Sequence, residues 1–159
     1  MVPKSLLLDP FVTRIDRNDL VNFCRSALQS VNMTDADALT TSEVLVRTDM
    51  RGIYTHGTLS LRRYVELMRD GGIDPAAIPD IINEGPSWAL MDAHQAVGMV
   101  AGTRGMELAI EKAKTTGVGM TTVRRSNHFG AASAYTLMSL DHGMAGIAMS
   151  NTDVVMSIP

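Results

Sequence analysis

Glycines set just past stretches of apolar periodicity do most to constrain how this chain folds, because they mark where helices must stop. Only glycine enters the left-handed conformation at a helix C-terminus without strain. Asp16 can cap a first helix over residues 17–30, where Leu20, Val21, Cys24, Ala27, Leu28 and Val31 form one apolar stripe. Thr34 opens a second helix, through Val44, Leu45 and Met50, that Gly52 ends. A third is expected over residues 58–69, with Leu59, Tyr64, Val65 and Met68 on a face and Gly71-Gly72 as its stop. Residues 1–14 read as an extended or poorly ordered lead-in.

The pattern changes after Asp74-Pro75, through a linker ending at Pro79. Residues 81–84 and 88–92 form two short apolar runs split by Gly85-Pro86, a strand–turn–strand signal. A helix follows over 98–115, stopped by Gly117, then a strand over 118–124, a helix over 131–142 and a strand over 145–150. Residues 118–150 therefore read as a strand–helix–strand unit, expected to be parallel with a right-handed crossover. Two regions result: a helical region over 1–73 and, over 80–159, the first part of an α/β domain. The closing run Val154-Val155-Met156-Ser157-Ile158-Pro159 has no cap or polar tail, and reads as a domain cut part-way, its sheet edge left open.

Charge and cysteine content exclude several classes. A net charge of −3 over 159 residues argues against a nucleic-acid partner, which needs a concentrated basic patch. The single Cys24 lies among apolar helix positions and reads as a buried structural thiol in a reducing compartment. Leu6-Leu7-Leu8 is too short for a leader's apolar core, and no run approaches a membrane span, so a cytoplasmic setting is expected. The 4 scattered histidines lack the local spacing of a metal site, so no metal is assigned.

Two histidines stand out on glycine turns. His56 lies between Thr55 and Gly57 just past the second helix, where the hydroxyl can orient the ring and the glycine leaves room for a substrate. Histidine titrates near neutrality and can give a proton to a developing alkoxide and take it back. His128 lies in Ser126-Asn127-His128-Phe129-Gly130-Ala131-Ala132, between a strand and a helix start whose free N–H groups suit an anion such as a nucleotide phosphate. Arg124 and Arg125 could add positive charge there. Gly117-Val118-Gly119 lacks the third glycine of a dinucleotide fingerprint and precedes a strand, so a Rossmann fold is not supported.

Three ordered blocks resemble a known family. Arg51-Gly52 with Thr55-His56-Gly57, then Arg63-Tyr64-Val65-Glu66 and Gly71-Gly72-Ile73, is similar to the first conserved region of the type-2 malate/L-lactate dehydrogenases. The Ser126–Ala132 turn and Gly146-Ile147-Ala148-Met149-Ser150-Asn151-Thr152 resemble two further blocks. The resemblance implies a non-Rossmann α/β fold in which a helical region packs beside a large mixed sheet, here incomplete. It implies a homodimer that transfers hydride between NAD or NADP and a small 2-hydroxy or 2-oxo acid, apart from nucleic acid and membrane. By the same resemblance His56 is the proton-relay histidine, Thr55 its orienting hydroxyl, and His128 a catalytic or cofactor-contacting histidine. Phe129, Gly130, Ala131, Ala132 and Thr152 fall on cofactor positions. Many relatives grip the substrate carboxylate with an arginine four residues after the relay histidine; Ser60 stands there, leaving the substrate side to Ser60 and Arg63. Members of the family continue well past this length, with further cofactor contacts and an acidic residue completing the relay. The competing expectation is therefore an inactive homologue that binds a nucleotide or oligomerises.

Overall fold

A computed structural model of the protein describes residues 14–151. Helix α1 spans Arg17–Gln29, and the Asp16 carboxylate accepts from the Asn18 and Asp19 N–H groups at its start. Helix α2 spans Asp35–Met50, with Thr34 as its N-cap. Gly52 follows at φ +78°, the conformation its position requires. Two single 3₁₀ turns, Tyr54–His56 and Thr58–Ser60, then lead into α3, Leu61–Arg69.

These three helices share a core. Leu28 and Leu45 are fully buried, with Cys24, Val46, Tyr64, Met68 and Ile73 closing around them. Each such side chain contributes about 1.5–3 kcal/mol through burial. Burial also pushes the Cys24 thiol up to about 11, with Asp49 adding to the effect, so the thiol stays protonated and structural.

Strands β1 (Asp80–Glu84), β2 (Trp88–Asp92) and β3 (Met120–Arg124) make a mixed sheet in the order β1-β2-β3. The first pair is antiparallel and the second parallel, with Trp88 opposite Met120 and Asp92 opposite Arg124. Helix α4, Gly98–Thr116, makes the connection between the parallel strands. It belongs to both regions: Met99 and Val100 enter the helical core, while Ala101 packs with Ala93 and Ala96 in a small second cluster. An Arg104–Asp37 ion pair at 2.8 Å ties α4 to α2, and Lys112 reaches Glu84 at 2.8 Å.

The expected helix over 131–142 is shorter and tighter than its pattern predicts. Helix α5 covers only Ser133–Thr136 and continues as a 3₁₀ helix over Leu137–His142. The expected strand over 145–150 does not form, and Ile147 and Met149 stand 80% and 87% exposed. A strand exists only where a neighbour supplies the other half of its ladder, and no described strand pairs with this segment. The parallel unit is therefore β2–α4–β3, not one built on residues 118–150.

Candidate active site

The two histidine turns meet. The rings of His56 and His128 lie 5.5 Å apart between centroids, tilted by 32°. Local fit brings them together. Gly57 packs so closely on α2 that a Cβ there would fall 1.7 Å from Asp49 Oδ1. The same carboxylate accepts from the Thr58 N–H at 3.0 Å and from the Thr58 hydroxyl, so it caps the turn that follows His56. On the other side, Gly98 lies beneath the His128 turn, where a Cβ would come within 2.3 Å of the Asn127 carbonyl oxygen and 2.4 Å of that of His128. Gly130 is buried at φ +75°, facing the His56 carbonyl.

Each ring has a hydroxyl neighbour at Nδ1. Thr55 Oγ1 is 2.9 Å from His56 Nδ1, and Tyr64 Oη is 2.6 Å from His128 Nδ1. Thr55 is exposed, whereas Tyr64 is 1% exposed. Burial pushes the Tyr64 hydroxyl up to about 12 against the opposing charge of Arg63. Partial burial holds His128 below the usual histidine value, and the charges of His56 and Arg63 act in the same direction.

The remaining candidates divide. Arg63 is exposed, yet its charge reaches both Tyr64 and His128. The Ser60 hydroxyl donates to the Thr55 carbonyl at 3.4 Å, beside the turn carrying His56. Phe129 stacks on Tyr135 at 5.0 Å and 12°, and its carbonyl accepts from the Tyr135 hydroxyl. Ala131 and Ala132 open α5, where their carbonyls accept from Ala134 and Tyr135 at 2.9 and 3.1 Å. With one α-helical turn behind it, this end offers far less dipole than the long helix expected there. Thr152 lies outside the described residues.

Arg124 and Arg125 are not free for an anionic ligand. Both donate to the Asp92 carboxylate, at 2.9 Å from Arg124 Nε and 2.8 Å from Arg125 Nε. Asp92 is 1% exposed, and these guanidiniums hold its carboxyl well below the usual range, with the His94 N–H assisting. Arg125 also donates to His94 Nδ1 at 2.8 Å, while His94 Nε2 meets Asp80 at 2.6 Å, so a histidine that looks ordinary in sequence joins a network. Sequence reading missed this network and the Tyr64 contact. The usable signal was an acid ending one strand, with one arginine ending its parallel neighbour and a second just beyond it.

Between this network and the His128 turn lies an open depression of about 230 Å³, lined by Gln95, Arg125, Ser126 and Asn127. A helical region against a small mixed sheet, with two histidines facing each other where they join, defines an α/β class distinct from dinucleotide-binding parallel sheets. The profile of the family described as malate/L-lactate dehydrogenase matches residues 15–159, and the chain belongs to that family. It is 41% identical to a malate dehydrogenase of Pyrococcus abyssi over 145 residues, 91% of this chain and 40% of the relative. It is 33% identical to an Escherichia coli K12 ureidoglycolate dehydrogenase (NAD(+)), over 88% of this chain and 40% of the relative. The solved malate dehydrogenase of Pyrococcus horikoshii OT3 superposes with a TM-score of 0.82 at 39% identity, covering 86% of this chain and 39% of that one. The chain thus spans about two fifths of the length of these relatives.

Proposed function

We propose that this chain builds the histidine-bearing part of the active site of a nicotinamide-dependent dehydrogenase for small 2-hydroxy or 2-oxo acids. The observation that carries the reading is the approach of His56 and His128 to 5.5 Å from two separately built regions. His56 serves as the proton carrier. In oxidation it takes the hydroxyl proton as the adjoining carbon gives up its hydride, and in reduction it returns that proton. Thr55 orients the ring through Nδ1, leaving Nε2 for the substrate oxygen. Arg63, whose charge already reaches His128, takes the substrate carboxylate with help from Ser60.

NAD or NADP supplies the hydride chemistry when bound. His128, Phe129, Gly130, Ala131 and Ala132 would hold it, with Thr152 as a further contact. Two observations favour this turn. The depression beside it lies at the C-terminal ends of parallel β2 and β3, the usual place for ligands in such sheets, and Ser126 and Asn127 of the same turn line it. NAD is the first cofactor to test, since one relative is named for it. We assign residues 1–73 to the helical region and 80–159 to the first part of the cofactor domain. A homodimer in the cytoplasm completes the reading. An inactive nucleotide-binding or oligomerising module is the second reading, favoured by the exposure of all of β1 and by Trp88 and Met120 on the sheet.

Nicotinamide fluorescence on titrating NADH and NADPH into the protein tests the first part. Saturable binding weakened by His128→Ala is expected. With a 2-oxo acid present, His56→Ala should cost about 10²–10⁴-fold in turnover with little change in cofactor affinity. Turnover that survives His56→Ala overturns the proton-carrier assignment. Cofactor binding without any turnover favours the second reading.

A further inference from the structure

We propose that Tyr64 is a positioning residue that fixes His128 in one tautomer, with Nδ1 as acceptor and Nε2–H held out as a donor. The proposal rests on His128 belonging to the site, and it divides the two histidines into different roles.

Tyr64 sits in α3 with its ring in the helical core, 1% exposed, and its hydroxyl reaches the site. The Tyr64 and His128 rings are 6.1 Å apart between centroids and inclined by 23°, and Oη meets Nδ1 at 2.6 Å. A phenol has one proton to donate, and among the described residues this contact is its hydrogen bond. Because burial pushes the hydroxyl up to about 12, it keeps that proton through the neutral range. If His128 instead donated from Nδ1, the phenol proton would be left without an acceptor inside the core. An unmet buried donor costs more than an ordinary hydrogen bond returns. A neutral imidazole carries one N–H, so the donor falls on Nε2.

The groups facing His128 oppose a second proton as well. Partial burial is the largest influence, and the positive charge of Arg63, and of His56 whenever that ring is protonated, acts in the same direction. Tyr64 itself loses its acceptor when Nδ1 is protonated. His128 is thereby kept as a neutral donor.

Thr55 gives His56 a different partner. Its hydroxyl is exposed, so it can donate to Nδ1 or accept from it while water takes up the other bond. Both tautomers of His56 stay open, as a proton carrier requires. A fixed N–H beside it would stabilise the oxygen on which negative charge develops. The chain thus pairs one histidine free to exchange protons with one locked to donate.

Ring-nitrogen NMR of the ¹⁵N-histidine-labelled full chain, without cofactor, tests this. At mildly alkaline pH, His128 should show a protonated Nε2 and a bare Nδ1. In Tyr64→Phe the ratio of Nδ1–H to Nε2–H should rise roughly fivefold, the factor that one neutral hydrogen bond is worth. The His56 nitrogens should hardly move. A wild-type His128 carrying its proton on Nδ1 overturns the proposal, and so does a Tyr64→Phe spectrum unchanged at His128. If Tyr64→Phe does not fold, the wild-type spectrum still decides. None of these readings uses NADH, so failure here is distinct from failure of the dehydrogenase reading, which shows as absent cofactor binding or turnover.

Discussion

The two histidines hang from regions held together by different forces. His56 follows α2, whose buried face includes Leu45 and Val46 in a core that also takes Leu28, Tyr64 and Met68. His128 follows β3, beside whose sheet lies a second, smaller cluster of Ala93, Ala96 and Ala101 with Ala77 and Val123 packed on it. All five residues of β1 are exposed. What secures the His128 end is polar and steric: Asp92 with its two arginines, the Asn127 amide on the Gln95 carbonyl at 2.9 Å, and Gly98 beneath the turn. Apolar packing tolerates changes of pH but not loss of volume, whereas charge ties behave the other way round. One site is therefore exposed to two kinds of damage, depending on which wall is struck.

The largest effect should come from the helical side. Leu45→Ala removes a fully buried side chain and should cost about 2–5 kcal/mol in urea unfolding. A loss below about 1 kcal/mol would mean that this core is not the anchor described. Gly98→Ala should come next, at about 1–3 kcal/mol, because its methyl meets two backbone carbonyls that cannot step aside. The His128 turn should shift with it, seen as changed amide resonances at Asn127 and His128, while the α1 amides stay in place.

Acid should separate the regions further. The folded state depresses the Asp92 carboxyl, so its stabilisation is complete above the ordinary aspartate value of about 3.9 and is lost as pH falls below it. Wild-type stability should therefore drop on acidification through that range, and Asp92→Asn should flatten the drop while lowering stability at neutral pH. A parallel pH profile in the two proteins would remove Asp92 from the account. Ile82→Thr should be the mildest change, within about 0.5 kcal/mol, since β1 contributes little buried surface.

Legibility in the sequence follows the same division. Helix ends could be read because Asp16, Thr34 and Gly52 act on backbone a few residues away. The first two strands could be read from their short apolar runs and the intervening turn. The run over 145–150 has a strand's composition but pairs with no described strand, and pairing is a long-range event that local pattern does not encode. Arg124 and Arg125 look like ligand-seeking charges until the β2–β3 register sets Asp92 opposite Arg124. Tyr64 was legible as a core position on α3, but the direction of its hydroxyl depends on where a distant turn docks. The site histidines could be picked out by their glycine turns; their meeting could not.

That meeting is the claim on which the function depends, and titration of His128 by NMR in wild type and in His56→Ala tests it most directly. Burial does most to hold the His128 value down, and His56 lies close enough for its charge to add to that, so removing it should raise the His128 midpoint. An unchanged midpoint would mean that the two turns do not share one site.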